Sequence, residues 1–557
     1  MTAAIYFHPE AYTTSGPKLM GRNAAGESFL RGYLTHSRAT SFWAQLASPS
    51  HQSAFVEAVR ACGRSEPVRV VNRTGLAALT QAGTVYHPGP GIGEPALHRA
   101  AFGHGAWSLC GITHTTSSAG AMDAIAEWLT APVQSWDAVI CTSTAVKGHV
   151  EQLLNAQLRY LQDRLGIQKA VLPQLPVIPL GIHVTDFRFD ADQRGAARQQ
   201  LGADSEALVV LFMGRLSFHA KAHPLAMYQV LERAAQQTGR TVLLVECGWH
   251  ANEPIRNAYA TAAALACPSV RVVTLDGRDA ASRQVAWASA DVFCSLSDNI
   301  QETFGIVPLE AMAAGLPVVV SDWDGYRDTV REGVEGFRIP TVMPGPGLGT
   351  DLALRHALEI DTYDMYCGHT CSLVAVEVEA AADAFSQLFR SAELRQRMGA
   401  AGRARANAFY DWSAIIPQYE ALWQDLGARR AQSGLSPGAP APWPARMDPF
   451  AGFAGYPTRS LGLDTPLFLV DGSAVAAGDR LRAYRQLAMI NFAEYVLPTE
   501  EESIRVFEAL AVGTRTAGQV VEDIPAERRL QVLRGLVSLM KLGLIGVGLD
   551  STLSVRT

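Results

Sequence analysis

The densest run of residues able to do chemistry is 295–325, SLSDNIQETFGIVPLEAMAAGLPVVVSDWDG, in which Glu302 and Glu310 are separated by seven residues. Pro308 stands where the first turn of a helix tolerates it, and Gly315 ends the apolar LEAMAA run. The spacing therefore places Glu302 in the loop before a helix and Glu310 about two turns later, with both able to face a common cleft. A carboxylate accepting bonds from a pair of vicinal hydroxyls gains roughly 1.5–3 kcal/mol for each charge-assisted bond. At the helix start the backbone N–H groups of Thr303, Phe304, Gly305 and Ile306 lack helical partners and can bind anionic oxygens. Gly305 permits close backbone approach.

Two cations form a second signal. In 208–231, LVVLFMGRLSFHAKAHPLAMYQVL, a strand-like run ends at Gly214, and Arg215 and Lys221 follow. Arginine offers a planar fork and lysine a compact ammonium, a pairing suited to a diphosphate that must shed hydration on entering a cleft. His114 ends the apolar run LCGITH in the first part of the chain. The loop 13–30, TTSGPKLMGRNAAGESFL, is glycine-rich, with Gly21 and Arg22 as candidates for contact with phosphate.

The stretch ETFGIVPLEAMAAGLPVV, followed by VREGVEGFRIP, resembles the signature of glycosyltransferase family 4 and its GT-B relatives. The resemblance covers residues 1 to about 428. It implies a retaining, metal-independent hexosyltransferase whose substrate is a nucleotide-sugar such as a UDP- or GDP-sugar, with no cofactor. It also assigns roles: Glu302 to the transferred sugar, Glu310 to the donor ribose, Arg215 and Lys221 to the diphosphate, and His114 to the sugar near the reacting carbon. One departure is that Ala222 follows Lys221 where the family usually has glycine. The acceptor stays open among protein, glycan and lipid. A GT-B sugar phosphorylase, a nucleotide-sugar epimerase and a non-catalytic sugar-nucleotide-binding regulator are the alternatives.

Three other clusters read as structural. Asp322-Trp323-Asp324 spells a metal-binding Asp-x-Asp but follows VVVS where the family has a turn. Cys367 and Cys371 flank His369 without a second ligand pair nearby, so packing is expected in place of zinc. The segment from His87 to Gly93 lacks the strand-to-helix glycine pattern of a dinucleotide site and is expected to be a flexible loop on the acceptor side.

These residues need a scaffold. Strand-like runs alternate with helical ones twice: AAIYF, PVRVVN, LCGITHT, DAVICTS and LPVIPLG, then ALVVLFMG, TVLLVECG, VRVVTLDG, DVFCSLS, LPVVVSD and EGFRIPT. The fold class is therefore α/β, with two Rossmann-like parallel-sheet lobes at 1–183 and 184–408. The second lobe is the donor side and the first the acceptor side. Helices at 409–428 are expected to return to the first lobe. A Pro- and Gly-rich linker, 429–444, leads to a small, mainly helical, winged-helix-like domain at 445–557.

Composition fits this picture. A length of 557 residues requires more than one core, and a net charge of -6 disfavours nucleic acid as a ligand. With no signal-like N-terminus and no long apolar run, a cytoplasmic protein without a transmembrane segment is expected. The balanced charge of the C-terminal domain points to protein contact or homo-oligomerisation, with a stabilising appendage as the plainer reading.

Overall fold

The computed structural model describes residues 2–13, 21–434, 440–441 and 443–548, with the side chains of residues 21 and 22 also outside the description. The chain divides into two compact units, Met1–Trp443 and Pro444–Thr557.

The first unit contains two six-stranded sheets. The first holds β1 (Ala4–Phe7), β2 (Phe42–Leu46), β3 (Val68–Val71), β4 (Thr84–Tyr86), β5 (Ser108–Ile112) and β6 (Ala138–Ile140), in the order β3-β2-β1-β4-β5-β6. The second holds β7 (Leu208–Met213), β8 (Val242–Gly248), β9 (Arg271–Asp276), β10 (Val292–Ser295), β11 (Val318–Ser321) and β12 (Gly336–Ile339), in the order β12-β11-β10-β7-β8-β9. All pairings within both sheets are parallel. Renumbered from its own first strand, the second sheet repeats the order of the first, the doubly wound arrangement that binds ligands where strand order reverses. In the second lobe that point lies between β7 and β10.

The sequences explain the buried sheets. Every residue of β7 and β8 is buried, as expected of parallel strands covered on both faces. Glu246 alone interrupts the apolar run of β8, and the Tyr228 hydroxyl satisfies it at 2.6 Å.

Two strands of the first sheet were not anticipated from sequence, β2 and the three-residue β4. Conversely, LPVIPLG is not a regular strand. Gln174 and Val177 make isolated bridges to Ala138 and Cys141, and Pro176 and Pro179 remove the donors a ladder needs. His87 is also not part of a flexible loop. It is buried, donates its backbone N–H to Cys110 at 2.8 Å and stacks on Tyr6 at 5.1 Å.

The helix Trp412–Gln432 extends past residue 428 into the segment expected to be linker. Its Trp412, Tyr419 and Trp423 are fully buried against Phe29, Tyr33 and Tyr86 of the first lobe. The Trp412 ring fills the space left by Gly32 and Gly181, where an added Cβ would come within 2.4 and 2.5 Å of it.

The second unit packs the helices Ala474–Arg485, Glu500–Ala511 and Arg529–Lys541 with a three-stranded antiparallel sheet, order β16-β15-β17, formed by β15 (Pro466–Leu469), β16 (Arg515–Thr516) and β17 (Ile545–Val547). Its core includes Leu467, Val506, Phe507, Val532 and Leu536. A short antiparallel pair in the first unit, β13 (Thr341–Val342) and β14 (Ala375–Val376), follows the second sheet. No helix among the described residues is long and apolar enough to cross a membrane.

Candidate functional site

The loops leaving β7 and β10 carry the acid and base groups singled out above, and the structure brings them together. Lys221 Nζ donates to Glu302 Oε2 at 2.6 Å. Arg215, immediately beyond β7 and Gly214, donates through Nη2 to the Ala220 carbonyl at 2.9 Å and to Gln301 Oε1 at 3.1 Å. Arg215, Lys221 and Glu302 therefore line one crevice at the switch point of the second sheet.

The helix Ile306–Ala314 begins at Gly305, whose φ of +79° is left-handed. A Cβ there would fall 1.8 Å from the Tyr326 ring, so this glycine is required by both backbone conformation and packing. Tyr326 is held in turn by its hydroxyl contact with Ser295 at 2.8 Å. Glycine offers no capping side chain and the helix has no side-chain cap; Glu302 Oε1 instead accepts from the loop N–H groups of Thr303 at 3.3 Å and Gly305 at 3.0 Å, just ahead of the helix. Two of the amides proposed for ligand oxygens thus hold the Glu302 carboxylate. Burial alone would raise its pKa, but the Lys221 charge and hydrogen bond, with the amides, hold it below the usual range. Phe304 is buried, and Ile306 is the first helical residue.

Glu310 lies apart from this cluster. Among the described residues it forms no ion pair. Burial raises its pKa to about 7, with Arg283 opposing the shift and Asp186 adding to it. Arg283 donates to the carbonyls of Gly277 and Arg278, in the loop beyond β9. Gly21 and Arg22 open the helix Gly21–His36; the Arg22 side chain and residues 14–20 lie outside the described residues.

The first lobe meets this crevice with neutral groups. Thr303 Oγ1 donates to the His114 carbonyl at 3.1 Å, and Thr142 Oγ1 donates to the Thr303 carbonyl at 3.3 Å. Ser143, the N-cap of the helix Thr144–Leu165, donates to Asp324 Oδ1 at 2.9 Å and accepts from the Val146 N–H at 3.1 Å. The Thr144 N–H donates to Asp328 at 2.6 Å. The Tyr363 hydroxyl lies 2.9 Å from Ser117 Oγ.

The Asp-x-Asp pair is divided between different tasks. Asp322 faces Arg338 at 3.5 Å and Arg327 at 3.8 Å, whereas Asp324 turns to Ser143 with a left-handed φ of 43°. Burial and then the Glu302 charge raise Asp324 to about 8. Cys367 and Cys371 are buried in the helix Tyr363–Cys371, and His369 Nδ1 lies 3.2 Å from Asp361.

Sequence reasoning passed over Gln301, Asp298 and Asn299, which the structure places at the crevice. All three stand in the quoted DNIQE run, but only the folded loops show what they touch.

With this geometry in view, a family comparison bears directly on the lobe that carries it: residues 193–343 match the model described as Glycosyl transferases group 1. Residues 193–343, within the second lobe, belong to this family. The chain is 35% identical over 149 residues to a phosphatidyl-myo-inositol mannosyltransferase of Mycobacterium leprae, covering 27% of this chain and 30% of the relative. It is 28% identical over 255 residues to the Mycobacterium tuberculosis (strain ATCC 25618 / H37Rv) protein of that description, covering 46% and 55%. A D-inositol 3-phosphate glycosyltransferase of Nocardia farcinica is 27% identical over 285 residues, covering 49% and 52%. The chain thus spans about half or less of the length of these curated relatives. Among solved structures, Anabaena Alr3699/HepE in complex with UDP is similar with a TM-score of 0.48 at 17% identity, covering 76% of this chain and 100% of that one. A sucrose-phosphate synthase from Thermosynechococcus elongatus has a TM-score of 0.46 at 18% identity, covering 77% and 99%.

Proposed function

We propose that this protein is a retaining glycosyltransferase that moves a sugar from a nucleoside diphosphate donor, bound at the group 1 lobe, to an acceptor hydroxyl presented from the first lobe. The observation carrying this reading is the convergence of Arg215, Lys221 and Glu302 at the β7/β10 switch point, with Lys221 and Glu302 at 2.6 Å. Lys221 and Arg215 neutralise the diphosphate, Glu302 takes the sugar hydroxyls, Glu310 takes the ribose, and His114 stands beside the transferred sugar.

The groups holding Glu302 are those a donor phosphate would engage. Donor binding is thus an exchange in which the diphosphate takes over Lys221 and Glu302 turns to the sugar. The bond between the anomeric carbon and the phosphate oxygen breaks while the acceptor oxygen bonds to that carbon from the same face, and the departing phosphate takes the acceptor's proton. Cations fixed where negative charge develops supply the main stabilisation, so no metal is needed. Product analysis separates acceptor transfer from phosphorolysis and epimerisation.

The test is a panel of UDP-, GDP- and ADP-sugars offered to the full chain, with consumption and product stereochemistry followed by NMR. One sugar nucleotide consumed with retention by wild type and lost in Lys221→Ala supports the proposal. Binding without consumption of any of them supports a regulator instead.

A further inference from the structure

We infer that Asn299 is a positioning residue that sets the separation of Lys221 and Glu302. Asn299 is 1% exposed and stands in the loop after β10, two residues ahead of Gln301. Its Nδ2 donates to the His219 carbonyl at 3.1 Å, and its Oδ1 accepts from the Gln301 N–H at 2.9 Å. Its own carbonyl accepts from the Glu302 N–H at 3.2 Å and from Trp323 Nε1, in the loop after β11, at 3.1 Å. One residue therefore ties three strand-end loops: that carrying Lys221, that carrying Glu302, and that carrying Asp324.

The side chain has to be a primary amide. It meets a carbonyl with one end and an N–H with the other, and only an amide offers a donor and an acceptor in that arrangement. An aspartate in the same shape would set an acceptor against the His219 oxygen. A smaller apolar side chain would leave both part-buried backbone groups without this partner.

Asp298 reinforces the same clamp by accepting from the His223 N–H at 3.2 Å, so the Lys221 loop is pinned on both sides of the lysine. On its other side that loop is packed against the helix Tyr363–Cys371, where an added Cβ on Gly368 would come within 2.9 Å of His219 Cβ. The loop has no room to shift without losing one of these contacts. Asn299 thus fixes where the ammonium stands relative to the carboxylate without meeting substrate itself.

The assignment rests on the transferase reading, and a double-mutant cycle separates the two. The full chain as wild type, N299A, K221A and N299A/K221A is assayed against the sugar nucleotide it consumes fastest, with thermal midpoints measured in parallel. N299A should lower kcat about tenfold while KM for that donor moves less than about threefold. In the K221A background the same change should have almost no further effect, because the lysine it positions is gone. Equal losses in both backgrounds, or a loss accounted for by unfolding at the assay temperature, would overturn the assignment. If N299A does not fold, the isosteric N299D carries the same test. If K221A turns over like wild type, or wild type consumes no sugar nucleotide, the transferase reading fails and this assignment falls with it.

Discussion

The two lobes share one strand order but differ in what they bring to the crevice. At the switch point of the second sheet stand Arg215, Lys221 and Glu302, all charged and linked through Gln301 and the Glu302 ion pair. The corresponding point of the first sheet, between β1 and β4, holds the stacked pair Tyr6 and His87, and burial lowers His87 to about 4, so it is neutral at pH 7. The first lobe touches the crevice through hydroxyls and backbone, at Thr142, Ser143 and His114. One topology thus supports two sorts of wall: a charged one suited to a leaving diphosphate and a neutral one suited to an uncharged hydroxyl.

The comparison breaks most directly at the charged wall. Lys221→Ala should reduce turnover about 100–1000-fold, measured as kcat on the active donor at a temperature where the variant stays folded. Wild-type rates would remove the charged wall from the chemistry. A smaller effect concerns pH. If only ionised Glu310 holds the donor ribose, its pKa of about 7 means that donor affinity falls as pH drops through that value. Between pH 8 and 6 the loss should be about tenfold, and Glu310→Gln should flatten the profile, as titration calorimetry with the nucleoside diphosphate would show.

Glu302→Gln sharpens the exchange. Removing the charge that competes for Lys221 should tighten binding of UDP or GDP about fivefold while turnover falls, and weaker binding by the variant would count against competition. The smallest effect is expected from the neutral wall. Ser143→Ala removes an N-cap and one hydrogen bond across the lobes, so it should cost about 1 kcal/mol in denaturant unfolding and change kcat by less than about threefold. A loss of turnover as large as that of Lys221→Ala would mean that the lobes do not divide the work in this way.

Much of this was legible in the sequence where a signal was local. Pro308, Gly315 and the apolar LEAMAA run mark the helix Ile306–Ala314, and strand-like runs before Arg215 and Glu302 put both at strand ends. What stayed hidden depends on contacts distant in sequence. Nothing near Glu302 says that its carboxylate accepts from the amides of its own loop, because that follows from how the loop bends ahead of the left-handed Gly305. The hub role of Asn299 depends on His219 and Trp323, neither of them close in the chain. The missed strand β4 has only three residues, and FWAQL of β2 lacks the β-branched residues that mark β3 and β11. In the C-terminal unit the short strands β15 and β16 went unread beside the strong helical periodicity around them.

The helix Trp412–Gln432 has a consequence for how this chain comes into being. Its indole and phenol rings complete the interior of a lobe whose sheet is finished by residue 140, so a ribosome must add nearly 300 further residues before that interior is filled. The nascent amino-terminal half should therefore wait, with Phe29, Tyr33 and Tyr86 open to chaperones, until its missing wedge emerges. Anyone grafting this half onto another scaffold would need to carry residues 409–432 along with it.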